Sequence, residues 1–240
     1  MTNRKRYRIA LVGNMIHPCG MEILAQRAEV QQVFSISDVN PDTDAIIIRA
    51  GISTTVENLA ACRRLKVIAM TGTGTDHIDP ELLQRGIQVI SAPGINAASV
   101  AEHTVALMLA VARKIPTFDS MVRMGQFGVR EELRGVELRG KALGIVGLGA
   151  VGRYVARICQ HGFGMQVHAY VGNHSSNMVN EMTEMGVRVY RNLTDVLKIV
   201  DVLTLHVPLN TETRRLIGIE ELQLLPKRAI LINTSRGGVW

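Results

Sequence analysis

The stretch GIVGLGAVG, residues 144–152, decides the fold because it joins a strand end, a tight turn and a helix start. Gly147, Gly149 and Gly152 form the pattern G-x-G-x-x-G directly after an apolar run, as the dinucleotide-binding fingerprint requires. The first glycine permits the turn, the second lets the backbone approach a pyrophosphate, and the third lets helix and strand pack closely. The helix N-terminus then offers N–H groups and a partial positive charge to phosphates. The alternative is a tight turn without a ligand.

Short β-branched runs alternate with amphipathic segments on both sides of this motif. This alternation is typical of an α/β protein with parallel sheets covered by helices. We predict strands at 8–13, 44–51, 66–72, 87–92, 141–147, 165–171, 187–190, 201–207 and 229–234. Helices are predicted at 21–28, 55–64, 79–86 and 97–114, and from near Ala150, Ser176, Leu193 and Glu220.

The longest helical pattern, residues 97–114, separates the two series of strands. Ser99 and Glu102 have the spacing of a capping box, and Pro116 is expected to close the helix. We therefore predict two doubly wound, Rossmann-like domains with a boundary at this helix, residues 1–97 and 98–240.

Composition excludes several classes of protein. The net charge of +6 suits an anionic ligand, although ordinary surface charge explains it equally well. Three scattered cysteines without a C-x-x-C pair argue against a disulfide framework and a zinc site, and for a reducing cytoplasm. Apart from RKRYR at 4–8, no basic run supports nucleic-acid binding. The longest apolar run, 104–112, is too short to cross a bilayer, so we expect a soluble cytoplasmic protein without a membrane partner.

The usual companion of the fingerprint is an acidic residue at the end of the next strand, which binds the ribose 2′-hydroxyl. No Asp or Glu occurs between Arg153 and Asn180, and the residues after Val171 are neutral and polar. We also expect no arginine at this strand end to bind a 2′-phosphate. The choice between NAD(H) and NADP(H) therefore stays open.

Two further segments lie at predicted strand ends. The loop TGTGTDHID, residues 71–79, can direct several backbone N–H groups at an anion such as a carboxylate. Arg49 follows the apolar run AIII and is expected at a carboxyl edge, where parallel sheets bind ligands. A plain strand–helix turn is the alternative at each. His77, His103 and His206 have no carboxylate partner nearby in sequence, so none is assigned as a general acid.

Taken together, these motifs resemble the D-isomer-specific 2-hydroxyacid dehydrogenases. The matching stretches are TGTGTDHID, GIQVISAPGINAASVAEHTVAL, ELRGKALGIVGLGAVG, LHVPLNTETRRLI and LINTSRGG. The resemblance implies hydride transfer between a nicotinamide cofactor and C2 of a small 2-hydroxy or 2-keto acid. It further implies a flavodoxin-like substrate-binding domain at 1–97, a dinucleotide-binding Rossmann domain at 98–240, an active site in the cleft and a homodimer.

The resemblance also assigns individual residues. Arg236 matches the arginine that binds the substrate carboxylate and polarises its carbonyl, a role that suits the guanidinium fork. Thr73 and Gly74 match the loop whose amides hold the carboxylate, and Arg49 matches a basic position on the substrate side. The cofactor positions are Gly147, Gly149, Ala150, Val151, Gly152, Val171, His206, Val207, Pro208, Thr234 and Ser235.

The chain departs from the family pattern after the NTSRGG segment, residues 233–238. The family's acid/base histidine, its glutamate partner and a sixth strand are expected beyond Trp240. The resemblance therefore predicts a C-terminally truncated dehydrogenase with little turnover by itself. The alternative is a non-catalytic dinucleotide-binding or interaction protein, since the C-terminal-binding-protein corepressors use this fold as a scaffold.

Overall fold

The computed structural model describes residues 6–13, 16–131, 133–172 and 176–240. The chain divides into two compact units, Met1–Ile95 and Asn96–Trp240. The sequence predicted the division after residue 97. None of the helices in the described ranges is both long and apolar enough to cross a membrane.

The N-terminal unit is a five-stranded parallel sheet with the order β2-β1-β3-β4-β5, the doubly wound order of flavodoxin-like folds. Ile46, Ile48 and Ile68 are fully buried at its centre. The strands are β1 (Tyr7–Val12), β2 (Ala28–Val33), β3 (Ala45–Ile48), β4 (Val67–Met70) and β5 (Gln88–Ile90), with helices α1 (Pro18–Ala25) and α2 (Pro80–Gln84).

Two elements of this unit differ from the prediction. The edge strand β2 was not predicted, because the polar side chains of Glu29, Gln31 and Gln32 interrupt its apolar pattern. The predicted helix at 55–64 is a series of turns instead. There, Cys62 N donates to Leu59 O at 3.0 Å, a bond to the third preceding residue rather than the fourth.

The C-terminal unit is a second five-stranded parallel sheet, with the order β10-β9-β6-β7-β8. Counted within the unit this is 3-2-1-4-5, the Rossmann order, so the carboxyl ends of all strands lie along one edge. The strands are β6 (Ala142–Val146), β7 (Gln166–Tyr170), β8 (Arg188–Tyr190), β9 (Val202–Leu205) and β10 (Ile230–Asn233). The helices are α3 (Ala97–Ala112), α4 (Ile115–Arg123), α5 (Ala150–Arg157), α6 (Ser176–Glu184), α7 (Leu193–Leu197) and α8 (Ile219–Leu224).

Both faces of this sheet are covered, as parallel sheets require. Ile145 and Val167 pack on one face together with Met108 of α3 and Val155 of α5. On the other face, Val146, Leu203 and Leu205 pack against Val196 and Leu197 of α7. Because helices cover both faces of the sheet, the strand ends are the place where polar groups can meet a ligand.

The long helix begins and ends differently from the prediction. α3 starts after Asn96 without a side-chain cap, so the capping box of Ser99 and Glu102 is not formed. It ends at Ala112 because Lys114 adopts a left-handed backbone conformation, with φ of 54°. Pro116 lies in the first turn of α4, where its missing N–H costs no hydrogen bond.

Candidate functional site

The turn after β6 depends on Gly147 for two reasons. Its φ of +96° lies in the region that favours glycine. A Cβ atom there would also lie 2.7 Å from the carbonyl oxygen of His206 and 2.8 Å from Cγ1 of Val207. The Gly147 amide donates to the carbonyl of Tyr170 at 3.0 Å. The turn therefore contacts the ends of both neighbouring strands, β7 and β9.

Gly152 is closely packed against neighbouring backbone, whereas Gly149, three residues earlier, has open space beside it. A Cβ at Gly152 would overlap the carbonyl oxygen of Gly147, so only glycine allows α5 to pack this closely. A Cβ at Gly149 would meet no atom within 4 Å. Packing within the protein therefore explains Gly152 and leaves Gly149 unexplained unless something else approaches its backbone.

The N-terminus of α5 opens at this same point. Gly149 is its N-cap, the helix has no side-chain cap, and its first turn contains no acidic residue. The first N–H groups of a helix have no partner within the helix, so those of Ala150 and Val151 are available to an anion. Open space at Gly149, an uncapped helix and a close-packed Gly152 are the features that a bound pyrophosphate needs. The described residues therefore fit a dinucleotide.

The end of β7 differs from the prediction in one respect. Val171 is fully buried, and its amide donates to the carbonyl of Tyr190 at 3.1 Å. The carbonyl of Gly172 accepts from Nη1 of Arg191 at 3.3 Å. The prediction that no arginine lies at this strand end is therefore wrong, because Arg191 reaches it from the end of the neighbouring strand β8. The neutral polar residues predicted here, at positions 173–175, lie outside the described residues.

His206, at the end of β9, is largely buried and neutral at pH 7. Burial lowers the pKa of its imidazole to about 4. Its Nε2 lies 3.0 Å from the hydroxyl of the fully buried Thr204, and its amide donates to the Val146 carbonyl at 2.8 Å. Val207 lies beside Gly147, just beyond the end of β9, and the exposed Pro208 follows. An imidazole with this pKa does not act as a cationic acid at neutral pH.

This lowered pKa predicts a loss of stability in acid. Between pH 6.5 and 4 the unfolded chain binds a proton at His206 that the folded chain excludes, so stability falls as pH falls. The loss from this residue between pH 7 and pH 5 is about 2 kcal/mol. Denaturant unfolding at both pH values should show it, and His206→Gln should remove most of it. The buried His168, whose pKa is also lowered by burial, would keep its own contribution in that variant. An unchanged pH dependence in His206→Gln would contradict the assignment.

The end of β10 is a tight loop organised by Asn233. Its Oδ1 accepts from the amide of Ser235 at 2.9 Å and from its hydroxyl at 2.8 Å. Its Nδ2 donates to the carbonyl of Arg236 at 2.9 Å. The partly buried guanidinium of Arg236 donates from Nη1 to the carbonyl of Ser235 at 3.0 Å. Asn233 pairs with Leu205 in the sheet, so Arg236 and His206 follow neighbouring strand ends.

Thr234 is held by the long helix. Its hydroxyl lies 2.9 Å from the hydroxyl of Thr104, which is fully buried on α3. Thr104 donates to the carbonyl of Val100 at 2.8 Å, so it accepts from Thr234. Sequence reasoning missed Thr104, because a threonine within a helical pattern gives no signal of such a contact. The N-x-S spacing of Asn233 and Ser235 is an Asx-turn signal that could have been used.

In the N-terminal unit, the residues predicted for the substrate side follow the carboxyl ends of β3 and β4. Arg49 is exposed directly after β3. The hydroxyl of Thr73 accepts from the amide of Gly94 at 3.3 Å and donates to the carbonyl of Ala92 at 3.4 Å. Gly74 is partly exposed in the same loop. Nε2 of His77 is buried without a hydrogen-bond partner among the described residues.

Comparison with known proteins also indicates a dinucleotide-binding domain in this chain. Residues 105–240 match the family model described as "D-isomer specific 2-hydroxyacid dehydrogenase, NAD binding domain". The D-3-phosphoglycerate dehydrogenase of Methanocaldococcus jannaschii is 36% identical over 236 residues, which cover 95% of this chain and 44% of that protein. The hydroxypyruvate reductase of Thermotoga maritima is 34% identical over 219 residues, covering 91% of this chain and 68% of that protein.

Solved structures agree. The D-lactate dehydrogenase of Aquifex aeolicus, solved with NAD and lactic acid, superimposes with a TM-score of 0.84 at 29% identity, covering 96% of this chain and 70% of that one. The chain spans about half or less of the length of the curated relatives that it matches first. The motifs, the two parallel sheets and these similarities show that the chain belongs to the D-isomer-specific 2-hydroxyacid dehydrogenase family.

Proposed function

We propose that this protein takes part in hydride transfer between a nicotinamide dinucleotide and C2 of a small 2-hydroxy or 2-keto acid. The observation that carries the proposal is the open space at Gly149, in a turn where Gly147 and Gly152 are both required by packing. When bound, the nicotinamide supplies or accepts the hydride. The amides of Ala150 and Val151 at the start of α5 bind its pyrophosphate.

The strand ends complete the cofactor site in this proposal. Val171 and Gly172, at the end of β7, border the adenosine ribose, and the His206–Pro208 segment borders the nucleotide at the end of β9. The neutral, largely buried imidazole of His206 forms part of the surface of the site there and carries no charge. Thr234 and Ser235 lie on the nicotinamide side, and the Thr104 hydroxyl fixes the position of Thr234.

Arg236 is proposed as the group that binds the substrate carboxylate. A guanidinium can donate two parallel hydrogen bonds to a carboxylate and so fix its orientation. Asn233 holds the backbone on both sides of this residue, which sets where the side chain starts. In the N-terminal unit we propose Thr73 and Gly74 as backbone donors to an anion, and Arg49 as a basic position for the substrate.

The proposal is tested first by binding. Titration of the 240-residue chain with NADH and NADPH, followed by nicotinamide fluorescence, should show saturable binding of at least one of them. A panel of 2-keto acids, including glyoxylate and hydroxypyruvate, should then be assayed for reduction. Efficient reduction of one acid would name the substrate and contradict the prediction of little turnover. No binding of either dinucleotide would contradict the proposal.

We also propose a homodimer that uses the surface of α3 and α4. Val111 of α3 and Ile115 and Val122 of α4 are about half exposed, and Phe127 just beyond α4 is 66% exposed. These side chains lie on elements that contact one another, α3 with α4 and α4 with the segment that begins at Phe127, and an exposed apolar patch of this kind is typical of an interface. Sedimentation velocity should give the mass of a dimer, and Val122→Glu should shift it toward a monomer. A wild-type monomer at micromolar concentration would contradict the proposal.

A further inference from the structure

The carboxyl ends of β7 and β8 lie side by side. Tyr170 and Tyr190 are partners in the parallel pairing of these strands. The amide of Val171 then donates to the carbonyl of Tyr190 at 3.1 Å. The next residue on each strand continues this arrangement, and Nη1 of Arg191 donates to the carbonyl of Gly172 at 3.3 Å. The guanidinium of Arg191 is therefore placed over the end of β7.

This strand end is where the adenosine ribose of a dinucleotide lies in a Rossmann unit. β7 is the second strand of the unit, and the amide of Gly147 in the pyrophosphate turn donates to the carbonyl of Tyr170, its last residue. A Cβ on Gly172 would meet no atom within 4 Å, so space is open next to its backbone. Both observations place Arg191 beside the ribose rather than beside the nicotinamide.

The electrostatics at this point favour a phosphate. The sequence contains no carboxylate from residue 153 to 180, so no acidic side chain there repels a 2′-phosphate or binds a 2′-hydroxyl. Within the described ranges, the hydrogen-bond partner of Arg191 is a neutral carbonyl, and its side chain makes no ion pair. By contrast, Nη1 of Arg153, on α5, lies 3.5 Å from a carboxylate oxygen of Glu181. A guanidinium that donates to a carbonyl has further N–H groups for a phosphate oxygen.

We propose that Arg191 binds the ribose 2′-phosphate and makes NADP(H) the preferred dinucleotide of this protein. The inference rests on the proposed function, since it concerns the same dinucleotide site. The glycine fingerprint does not distinguish NAD(H) from NADP(H), because both contain the pyrophosphate that the turn binds. Arg191 is proposed to distinguish them. Arg191 acts on cofactor selection and has no part in the reacting bonds.

The test compares NADH and NADPH binding by the wild-type chain, Arg191→Gln, Arg191→Glu and a control, Arg188→Gln. Arg188 is an exposed arginine at the opposite end of the same strand, about 10 Å away at roughly 3.3 Å per residue. The wild type should bind NADPH at least about tenfold more tightly than NADH, the effect of one charge-assisted hydrogen bond. Arg191→Gln should remove this preference by weakening NADPH alone, and Arg191→Glu should reverse it. Arg188→Gln should keep it.

Fragments of the cofactor supply a second readout. We expect 2′,5′-ADP to displace bound NADPH at a lower concentration than 5′-AMP in the wild type and equally in Arg191→Gln. Equal wild-type affinities for NADH and NADPH, or equal weakening of both by Arg191→Gln, would overturn the inference about Arg191. The proposed function would still stand in that case, because the protein would bind a dinucleotide. If neither dinucleotide bound, the proposed function would fail and the inference with it.

Discussion

Gly149→Ala is expected to leave the unfolding midpoint within about 1 °C of the wild type and to weaken dinucleotide binding at least about tenfold. The added methyl group meets no protein atom within 4 Å, so the folded chain accepts it. Gly149 has a φ of −67°, which any residue adopts without strain. The cost appears only when a pyrophosphate approaches the backbone, because the methyl group occupies part of the space it needs.

Gly152→Ala is the matched comparison, with the same added atom three residues later. Its Cβ would overlap the carbonyl oxygen of Gly147, so α5 must move away from β6. Overpacking of this kind costs about 1–3 kcal/mol, which lowers the unfolding midpoint of a unit of this size by roughly 2–10 °C.

Calorimetry gives the unfolding midpoint of each variant, and titration with NADH or NADPH gives its dinucleotide affinity. The expected pattern is lost binding with normal stability for Gly149→Ala, and lost stability for Gly152→Ala. Full dinucleotide affinity in a stable Gly149→Ala protein would show that no phosphate approaches this turn, and the proposed cofactor site would then be wrong.

Arg236→Ala is expected to weaken the binding of a 2-keto acid, or of its analogue oxamate, by roughly 100-fold or more. Removal of a guanidinium leaves the substrate carboxylate without its bidentate partner. Dinucleotide binding should stay within about twofold of the wild type, since the pyrophosphate turn lies at β6 and Arg236 follows β10. Arg236→Lys should be intermediate, because an ammonium keeps the charge and loses the planar fork.

The control is Arg228→Ala, which removes an exposed arginine just before the start of the same strand. It lowers net charge equally and should leave oxamate binding unchanged. Oxamate affinity is measured in the presence of saturating NADH or NADPH, and unfolding midpoints show whether each variant keeps its fold. Where a 2-keto acid is reduced, kcat/KM should fall in the same order. Near-normal oxamate affinity in a folded Arg236→Ala protein would remove the role given to this residue.

The sequence predicts most of the fold because strong local patterns coincide with the real elements. The predicted strands are all present, since buried parallel strands are continuous apolar runs. β2 was missed because it is an edge strand with a polar face. The helix predicted at 55–64 was wrong because its apolar spacing also suits a chain of turns that buries Leu59 and Cys62.

The site was predicted where the signal is local and missed where it depends on neighbouring strands. Gly147, Gly149 and Gly152 are close in sequence, so their pattern is visible directly. Arg191 is 19 residues from Gly172, and only the pairing of β7 with β8 brings the two together. Thr104 and Thr234 are 130 residues apart, beyond any pattern along the chain.

The hydroxyl pair of Thr104 and Thr234 also bears on how the unit folds. α3 is synthesised before every strand of its unit, and β10 after the other four. Contact between two groups 130 residues apart closes a long loop, and the entropic cost of loop closure rises with loop length. This cost is offset only once the sheet between the two groups has assembled. The loop that carries Arg236 is therefore expected to order late in folding, and in a pulse-labelled refolding experiment the amides of β10 should become protected after those of β6 and β7.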